Sequence, residues 1–235
     1  MISGSIGDTL KLFNRKERYW VVHTALGSPA ATLSAAFCDA INGQLDLKEP
    51  VTPSSAWWAM DYHIDWLQAA LRLHPNVSTT KEAIPRVGSA DGKRCDIQGQ
   101  QEDIDLVVAH NRDVVLVEAK AFGSWSNKQL ESKLERLRAL PISWDTGEVT
   151  ADGVAEEEPI RVHFILLSPN PPTKLSPSVL QKWPAWGKHC GSPCWVHLSL
   201  GEPEDRFFKV NRCNATGKSL ACGGHWIPAP VSRPS

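Results

Sequence analysis

The 235-residue sequence contains no run of about 18 consecutive apolar residues, so no transmembrane helix and no membrane partner are expected. Its first residues have neither a basic start nor an apolar stretch of signal-peptide length, which favours a cytoplasmic protein. The sequence also lacks an excess of one charge sign. Its 25 Lys and Arg residues nearly balance its 26 Asp and Glu residues, so the net charge is −1. Proteins that hold nucleic acid by bulk charge are normally basic, so that class is excluded.

Several common catalytic signatures are missing as well. The sequence has no G-x-x-x-x-G-K-[ST] phosphate loop, no G-x-S-x-G nucleophile elbow and no H-E-x-x-H zinc motif. Gly217, Lys218 and Ser219 repeat only the end of a phosphate loop, since the first glycine of that loop is absent. Nucleotide hydrolysis by a phosphate loop and ester hydrolysis by a serine elbow are therefore not indicated.

Cysteine pairs with the close, repeated spacing of zinc motifs are also missing. The six cysteines are expected to be mostly free thiols in a reducing compartment. Four of them lie near the C-terminus beside three histidines and leave open, as an alternative, a zinc-stabilised interaction module: Cys190, Cys194, Cys213 and Cys222. Because their spacing is loose, zinc is disfavoured.

Tyrosine is scarce, with two residues, whereas tryptophan is abundant, with ten. Helical spacing of apolar residues predicts three helices in the first third of the chain, over residues 14–26, 32–47 and 53–74. Ser34 is the expected N-cap of the second helix. The third is expected to carry Trp57, Trp58 and Trp66 into the core, with base stacking as the alternative role for some tryptophans.

Two β-branched runs, at residues 104–109 and 114–120, are joined by a short polar segment and predict a β-hairpin. If its turn is centred on Asn111 and Arg112, Asp105 lies directly opposite Glu118. Two carboxylates about 5 Å apart in an apolar hairpin repel each other and lose hydration. A divalent cation would remove both costs. Because strand side chains alternate, a lysine two residues after Glu118 lies on the same face.

A helix is predicted directly after the hairpin. Ser126 and Gln129 have the spacing of a capping box. Its apolar stripe is predicted to consist of Leu130, Leu134 and Leu137. Further along the chain, the apolar run at residues 161–168 predicts a buried strand.

The runs D-I-D-L-V-V and V-L-V-E-A-K resemble the PD-(D/E)XK nuclease superfamily, whose members share the restriction-endonuclease-like fold. The signature is an Asp, a short hairpin and E-x-K at the end of the next strand, here Asp105, Glu118 and Lys120. No Pro precedes Asp105, a departure that the family tolerates. The following helix often carries a Gln-containing motif in the family, which Gln129 matches, with Lys133 four residues on.

The resemblance implies an α/β protein with a central mixed β-sheet flanked by helices, namely a restriction-endonuclease-like core with an N-terminal helical segment. Residues 1–80 are expected to form the helical segment, packed on the core. Residues 81–200 are expected to form the nuclease-like core, and residues 201–235 an irregular extension.

The chemistry implied by the family is metal-assisted hydrolysis of phosphodiester bonds. Asp105 and Glu118 would hold Mg²⁺, or Mn²⁺ as a substitute, with the carbonyl of Ala119. Lys120 would orient or help to deprotonate the attacking water, and Gln129 would complete the catalytic set. A catalytically inactive binding or scaffold protein with the same fold is the main alternative.

Further site residues follow from the same resemblance. Many members add a metal-binding Glu from an N-terminal helix, for which Glu17 is the best match and Asp61 and Asp65 are alternatives. Basic residues of the helix after the hairpin are expected to contact the nucleic-acid backbone: Lys128, Lys133 and Arg136. DNA is favoured over RNA, and a homodimer is compatible with cutting two strands.

The charge balance allows such a substrate. Residues 144–158 hold six acidic side chains and no Lys or Arg. The remainder of the chain is therefore basic, although the total is close to neutral. A metal-centred site in a mildly basic body is compatible with nucleic acid as the substrate.

Overall fold

The computed structural model describes residues 5–13, 17–25, 32–74, 103–121, 125–138, 140–149, 159–199 and 208–230. Its helices are α1 (Ile6–Leu10), α2 (Glu17–Ala25), α3 (Ala35–Gln44), α4 (Ile64–Leu73), α5 (Asn127–Leu137) and α6 (Pro177–Lys182), with a 3₁₀ turn at Ala185–Gly187. Its strands are β1 (Trp57–His63), β2 (Asp103–His110), β3 (Asp113–Ala119), β4 (Arg161–Ser168), β5 (Lys188–His189), β6 (Ser192–Pro193), β7 (Trp195–His197), β8 (Phe208–Cys213) and β9 (His225–Pro230).

The chain divides into two compact units, Met1–His197 and Leu198–Ser235. The first unit contains a five-stranded sheet in the order β1-β2-β3-β4-β7 and the small β5-β6 ladder. The second contains the antiparallel β8-β9 ladder. No helix in the described part of the chain is long and apolar enough to cross a membrane.

The central sheet is mixed, which confirms the predicted α/β class. Strands β1, β2 and β3 are antiparallel neighbours, whereas β4 runs parallel to β3, and β7 parallel to β4. A parallel neighbour requires a long crossover, and the segment between β3 and β4 contains α5. The sheet therefore combines an antiparallel half, β1-β2-β3, with a parallel half, β3-β4-β7.

The β2-β3 hairpin has the predicted register. Its pairs run from His110 opposite Asp113 at the turn to Leu106 opposite Val117. Asn111 in the turn has a φ of 50°, a left-handed conformation that Asn tolerates better than most residues. The position of the turn and the alternation of apolar side chains thus fix which side chains face one another.

Helix α5 follows the prediction in its N-cap and its apolar stripe, whereas the Gln129 side chain accepts from Lys120 Nζ instead of closing a capping box. The backbone N–H of Gln129 donates to Ser126 Oγ at 3.2 Å, which confirms Ser126 as the N-cap. Leu130, Leu134 and Leu137 are buried, so the predicted apolar stripe is confirmed. Because these leucines pack against the sheet, they fix the orientation of α5 about its own axis. That orientation places the polar side chains of Gln129 and Lys133 in a cleft beside the sheet.

The predicted helix at residues 53–74 is confirmed only from Ile64 onward, as α4, and is wrong before it, where β1 lies. Trp57 and Trp58 therefore lie on a strand, and they do not share a helix with Trp66. The cause is Asp61, whose φ of 51° interrupts the strand. The buried residues on either side, Ala59 and Tyr62, are then three apart, which imitates a helical period.

Both faces of the sheet are covered by apolar side chains. Val114 and Leu116 of β3 join a cluster with the leucines of α5, whereas Val115 and Val117 join a second cluster with Ile41 of α3. Ser34 caps α3 as predicted, since its Oγ accepts from the Phe37 N–H at 3.2 Å. Strand β3 is thus buried on both sides, and its last residues lie where the covering helix α5 begins.

Candidate active site

Polar side chains line a cleft at the ends of β1, β2 and β3, beside helix α5. Its volume is about 550 Å³. Four carboxylates and two lysines contribute to its lining, together with smaller polar side chains: Asp61, Asp103, Asp105, Glu118, Ser126, Lys128, Gln129, Ser132 and Lys133. A cleft in which ionisable side chains converge, one of them with a shifted pKa, is a candidate functional site.

Asp105 and Glu118 meet in this cleft because of the hairpin register. The last ladder pair, Leu106 with Val117, is followed by Asp105 on one strand and Glu118 on the other. The backbone N–H of Ala119 donates to Asp105 Oδ2 at 2.7 Å. This bond fixes the Asp105 carboxylate against the backbone that directly follows Glu118.

Asp61 extends the same row onto β1. Its neighbours Met60 and Tyr62 pair with Leu106 and Ile104, and the ladder skips positions 61 and 105, which lie between these two pairs. Position 118 follows the last pair of the β2-β3 ladder and comes next to Asp105 by continuation of the hairpin register. The cleft thus receives carboxylates from three neighbouring strands.

Asp103 and His63 form the next pair outward. They face each other in the ladder, and His63 Nδ1 lies 2.9 Å from Asp103 Oδ1. The His63 ring also contacts Trp66 edge to face, with centroids 4.2 Å apart. The aromatic contact holds the imidazole, which in turn holds one carboxylate oxygen of Asp103.

Lys133 enters the cleft from α5 and is 7% exposed. Its ammonium donates to the carbonyl of Asp103 at 2.8 Å. The same nitrogen lies 3.1 Å from Glu118 Oε2. Since Glu118 is also 7% exposed, this is a buried ion pair that connects α5 with β2 and β3.

The electrostatics of Asp105 reflect its surroundings. Burial raises the pKa of its carboxyl above the usual value, and the negative charges of Asp61 and Asp103 raise it further. The Ala119 N–H and the charge of Lys133 act in the opposite direction, but burial outweighs them. A cation placed beside Asp105 would therefore relieve an existing cost.

Lys120 lies next to the cleft and is not among its described lining residues. Its backbone N–H donates to the Leu167 carbonyl at 2.8 Å, so it continues the pairing of β3 with β4. Its ammonium donates to Gln129 Oε1 at 3.2 Å and lies 5.7 Å from the centre of the Trp125 ring. Trp125 is held in turn by Ser168, whose Oγ accepts from the indole N–H at 3.1 Å.

The structure brings most of the predicted site residues together. Asp105, Glu118, Gln129, Lys128 and Lys133 line one cleft, and the Ala119 backbone borders it through its bond to Asp105. Outside the described lining are three candidates, of which Lys120 reaches it through Gln129: Glu17, Lys120 and Arg136.

Two acidic residues of the cleft had less support from the sequence than Glu17. The sequence offers Asp61 as an alternative to Glu17, on a stretch that it predicts to be a helix. The place of Asp61 beside Asp105 becomes visible once β1 is known to be a strand that pairs with β2. Asp103 precedes Asp105 by two residues and therefore shares its face, which is a signal that the sequence does contain.

The donor set suits a hard divalent cation. Asp105 and Glu118 offer carboxylate oxygens, and the Ala119 carbonyl follows directly in the chain. In the described residues, no three His, Cys, Asp or Glu side chains form a group that could hold a metal ion. Mg²⁺ commonly uses one or two carboxylates and retains several waters, so two facing carboxylates fit this ion.

The four C-terminal cysteines are all free thiols in the structure. Cys190 and Cys222 are exposed free thiols, whereas Cys194 and Cys213 are buried free thiols. Burial raises the pKa of the Cys194 thiol to about 11.

Comparison with known proteins gives no relative: no protein-family model, no curated protein and no solved structure matches the chain. The candidate site therefore rests on the geometry of this chain alone.

Proposed function

We propose that the chain is a metal-dependent nuclease that hydrolyses phosphodiester bonds of nucleic acid, built on a restriction-endonuclease-like core. One observation carries the proposal. Asp105 and Glu118 occupy facing positions at the end of a β-hairpin and line one cleft, and Lys120 follows two residues after Glu118. This is the arrangement that the E-x-K signature of the PD-(D/E)XK nucleases requires.

The order of the elements supports the same reading. The antiparallel strands β1, β2 and β3 lead to the E-x-K residues at the end of β3, α5 follows them, and β4 returns parallel to β3. Glu118 stands near the carboxyl end of β3, at the edge where parallel strands of α/β sheets commonly place their sites. The cleft thus lies where an enzyme of this architecture would bind its substrate.

Asp105, Glu118 and the Ala119 carbonyl are the residues that would hold Mg²⁺ or Mn²⁺. The bound ion would supply an acidified water and a positive charge beside the scissile phosphate. The chain itself contributes orientation, because the Ala119 N–H holds Oδ2 of Asp105 in place. The burial of Glu118 keeps bulk water away from its carboxylate.

Lys120 would hold a proton at Nζ beside the attacking water and stabilise developing negative charge. Gln129 positions this ammonium, since its Oε1 accepts from Lys120 Nζ. Lys128, which is exposed in the first turn of α5, is suited to contact a phosphate of the backbone. Arg136 would extend that contact along the same helix.

The test is a cleavage assay with Mg²⁺ or Mn²⁺ on a panel of single-stranded and double-stranded DNA and RNA. DNA is proposed ahead of RNA. Glu118→Gln should abolish metal-dependent cleavage in protein that circular dichroism shows to be folded, whereas Glu135→Gln, on the exposed side of α5, should cleave at the wild-type rate. Equal rates for the two variants, or cleavage that persists in a chelator, would refute the proposal.

A non-catalytic nucleic-acid-binding protein of the same architecture is the second candidate. The ion pair between Lys133 and Glu118 favours it, because a fixed lysine would neutralise a metal ligand permanently. Titration calorimetry with Mn²⁺ separates the two functions. Binding by wild type that Glu118→Gln removes supports the nuclease, whereas no binding by wild type supports the non-catalytic protein.

A further inference from the structure

Lys133 lies among the carboxylates of the cleft, where a divalent cation would also bind. Its ammonium is 3.1 Å from Glu118 Oε2, and both side chains are almost fully buried. A buried charge is retained only when a partner offsets its lost hydration. Glu118 and the Asp103 carbonyl supply that compensation to Lys133 in the structure as it stands.

We infer that Lys133 is an internal counter-ion which occupies Glu118 in the metal-free protein and which a divalent cation displaces. The inference rests on the proposed metal site at Asp105 and Glu118. Lys133 then sets the affinity of that site, because each binding event must first break the ion pair. Once displaced, its ammonium remains beside the cleft, anchored by the Asp103 carbonyl, where an anionic substrate would meet it.

The balance of charge in the cleft, with and without a bound divalent cation, supports this role of Lys133. Without a metal ion, the positive charge of Lys133 offsets one of the two ligand carboxylates. With a divalent cation bound, the two carboxylates are already neutralised, and the ammonium faces a like charge at short distance. The pair at 3.1 Å is therefore favourable in one state and unfavourable in the other.

Lys128 provides a matched control on the same helix. It carries the same charge and lines the same cleft, but its side chain is exposed, and its charge is therefore screened by water and salt. Lys133→Met and Lys128→Met remove the same ammonium from one buried and one exposed position. A difference between them isolates the contribution of the buried pair.

The first measurement is Mn²⁺ affinity by calorimetry, with the metal ion alone as the probe. Lys133→Met should bind Mn²⁺ at least about tenfold more tightly than wild type, because the competing charge is gone. Lys128→Met and the charge-retaining Lys133→Arg should stay within about threefold of wild type. Equal affinities for wild type and Lys133→Met would overturn the inference and leave the metal site standing.

The second measurement uses the wild-type protein and therefore does not depend on whether Lys133→Met folds. An amine-acetylating reagent at fixed pH should modify Lys133 slowly without metal, since the amine is buried and paired. Saturating Mn²⁺ should raise the modification of Lys133 at least about threefold, read by peptide mass spectrometry, with Lys128 unchanged. Unchanged modification of Lys133 under saturating Mn²⁺ would overturn the displacement.

The remaining outcomes separate the inference from the proposed function. Mn²⁺ binding by Lys133→Met but not by wild type would support the counter-ion and refute a working metal site in the natural chain. No binding by either protein would overturn both proposals.

Discussion

The backbone N–H of Ala119 donates a hydrogen bond of 2.7 Å to Asp105 Oδ2. This single contact joins the start of β2 to the end of β3 and holds one carboxylate beside the next, that of Glu118. Burial raises the pKa of Asp105, so the protein bears a cost when that group is ionised. The Asp105 carboxylate is thus held in position for a cation, and its ionised form lowers the stability of the protein when no cation is bound.

Asp105→Asn should therefore stabilise the metal-free protein at neutral pH by up to about 1 kcal/mol, which is a rise of about 2–4 °C in Tm. The amide oxygen can still accept from the Ala119 N–H, so only the charge is lost. A carboxyl whose pKa is raised by folding destabilises the fold only when it is ionised. The gain should therefore shrink as the pH falls through the pKa of Asp105.

Thermal melts of wild type and Asp105→Asn with a chelator, at several pH values, test this. The same variant should lose Mn²⁺ binding in calorimetry, since one of the two ligand carboxylates is gone. A variant that is both less stable and still binds Mn²⁺ would show that Asp105 serves the fold and not the metal.

Lys120 should matter for cleavage far more than for folding. Lys120→Ala should lower the rate of Mg²⁺-dependent cleavage by about 10²-fold or more, with a stability change of about 1 kcal/mol or less, because the side chain is only half-buried. Gln129→Ala should lower the rate less, since it removes the acceptor that positions the ammonium and not the ammonium itself. Single-turnover rates and urea unfolding on the same samples measure both effects. An unchanged rate for Lys120→Ala would refute the catalytic role of Lys120.

The hairpin and α5 were predictable because local signals decide them. The turn at Asn111 fixes the register, and the cap at Ser126 fixes where the helix begins. The facing of Asp105 and Glu118 follows from that register by counting. These parts of the site needed no knowledge of tertiary contacts.

Strand β1 was not predictable from apolar spacing. A left-handed residue at Asp61 shifts the alternation and imitates a helix, and the strand exists because it pairs with β2, which is distant in sequence. The burial of Lys133 is likewise a tertiary effect. Its position on α5 predicted an exposed phosphate contact, whereas packing of the helix against the sheet directs it to Glu118.

Asp113, at the start of β3, should make the fold sensitive to acid. Burial raises the pKa of its carboxyl, but the hydrogen bonds from His163 and from the Lys48 N–H, with the charges of His163 and Arg161, leave the pKa below its usual value. A carboxyl of this kind stabilises the fold above its unfolded pKa of about 3.9, and that contribution disappears as the pH falls through the lower folded value.

Asp113→Asn should therefore cost about 2–4 kcal/mol at neutral pH, because it leaves Arg161 and His163 without their buried anion. The deficit relative to wild type should shrink as the pH falls from about 3.9 through the lower folded pKa of Asp113, where wild type loses the same charge. Urea unfolding across this range measures it, with the exposed Asp145→Asn as the control. A deficit that is independent of pH would mean that the hydrogen-bond geometry, and not the charge, stabilises this end of the sheet.

Substitutions at Asp61 should show that the irregularity of β1 depends on the left-handed backbone conformation of this residue. Its φ of 51° is poorly tolerated by β-branched residues. Asp61→Val should therefore cost about 2 kcal/mol, whereas Asp61→Gly should stay within about 1 kcal/mol, since glycine adopts this conformation freely but loses more chain entropy on folding. Met60→Val, one residue earlier on the strand, is the matched control and should cost less than Asp61→Val. Equal stability of Asp61→Val and Asp61→Gly would show that the left-handed conformation at position 61 is not required for β1.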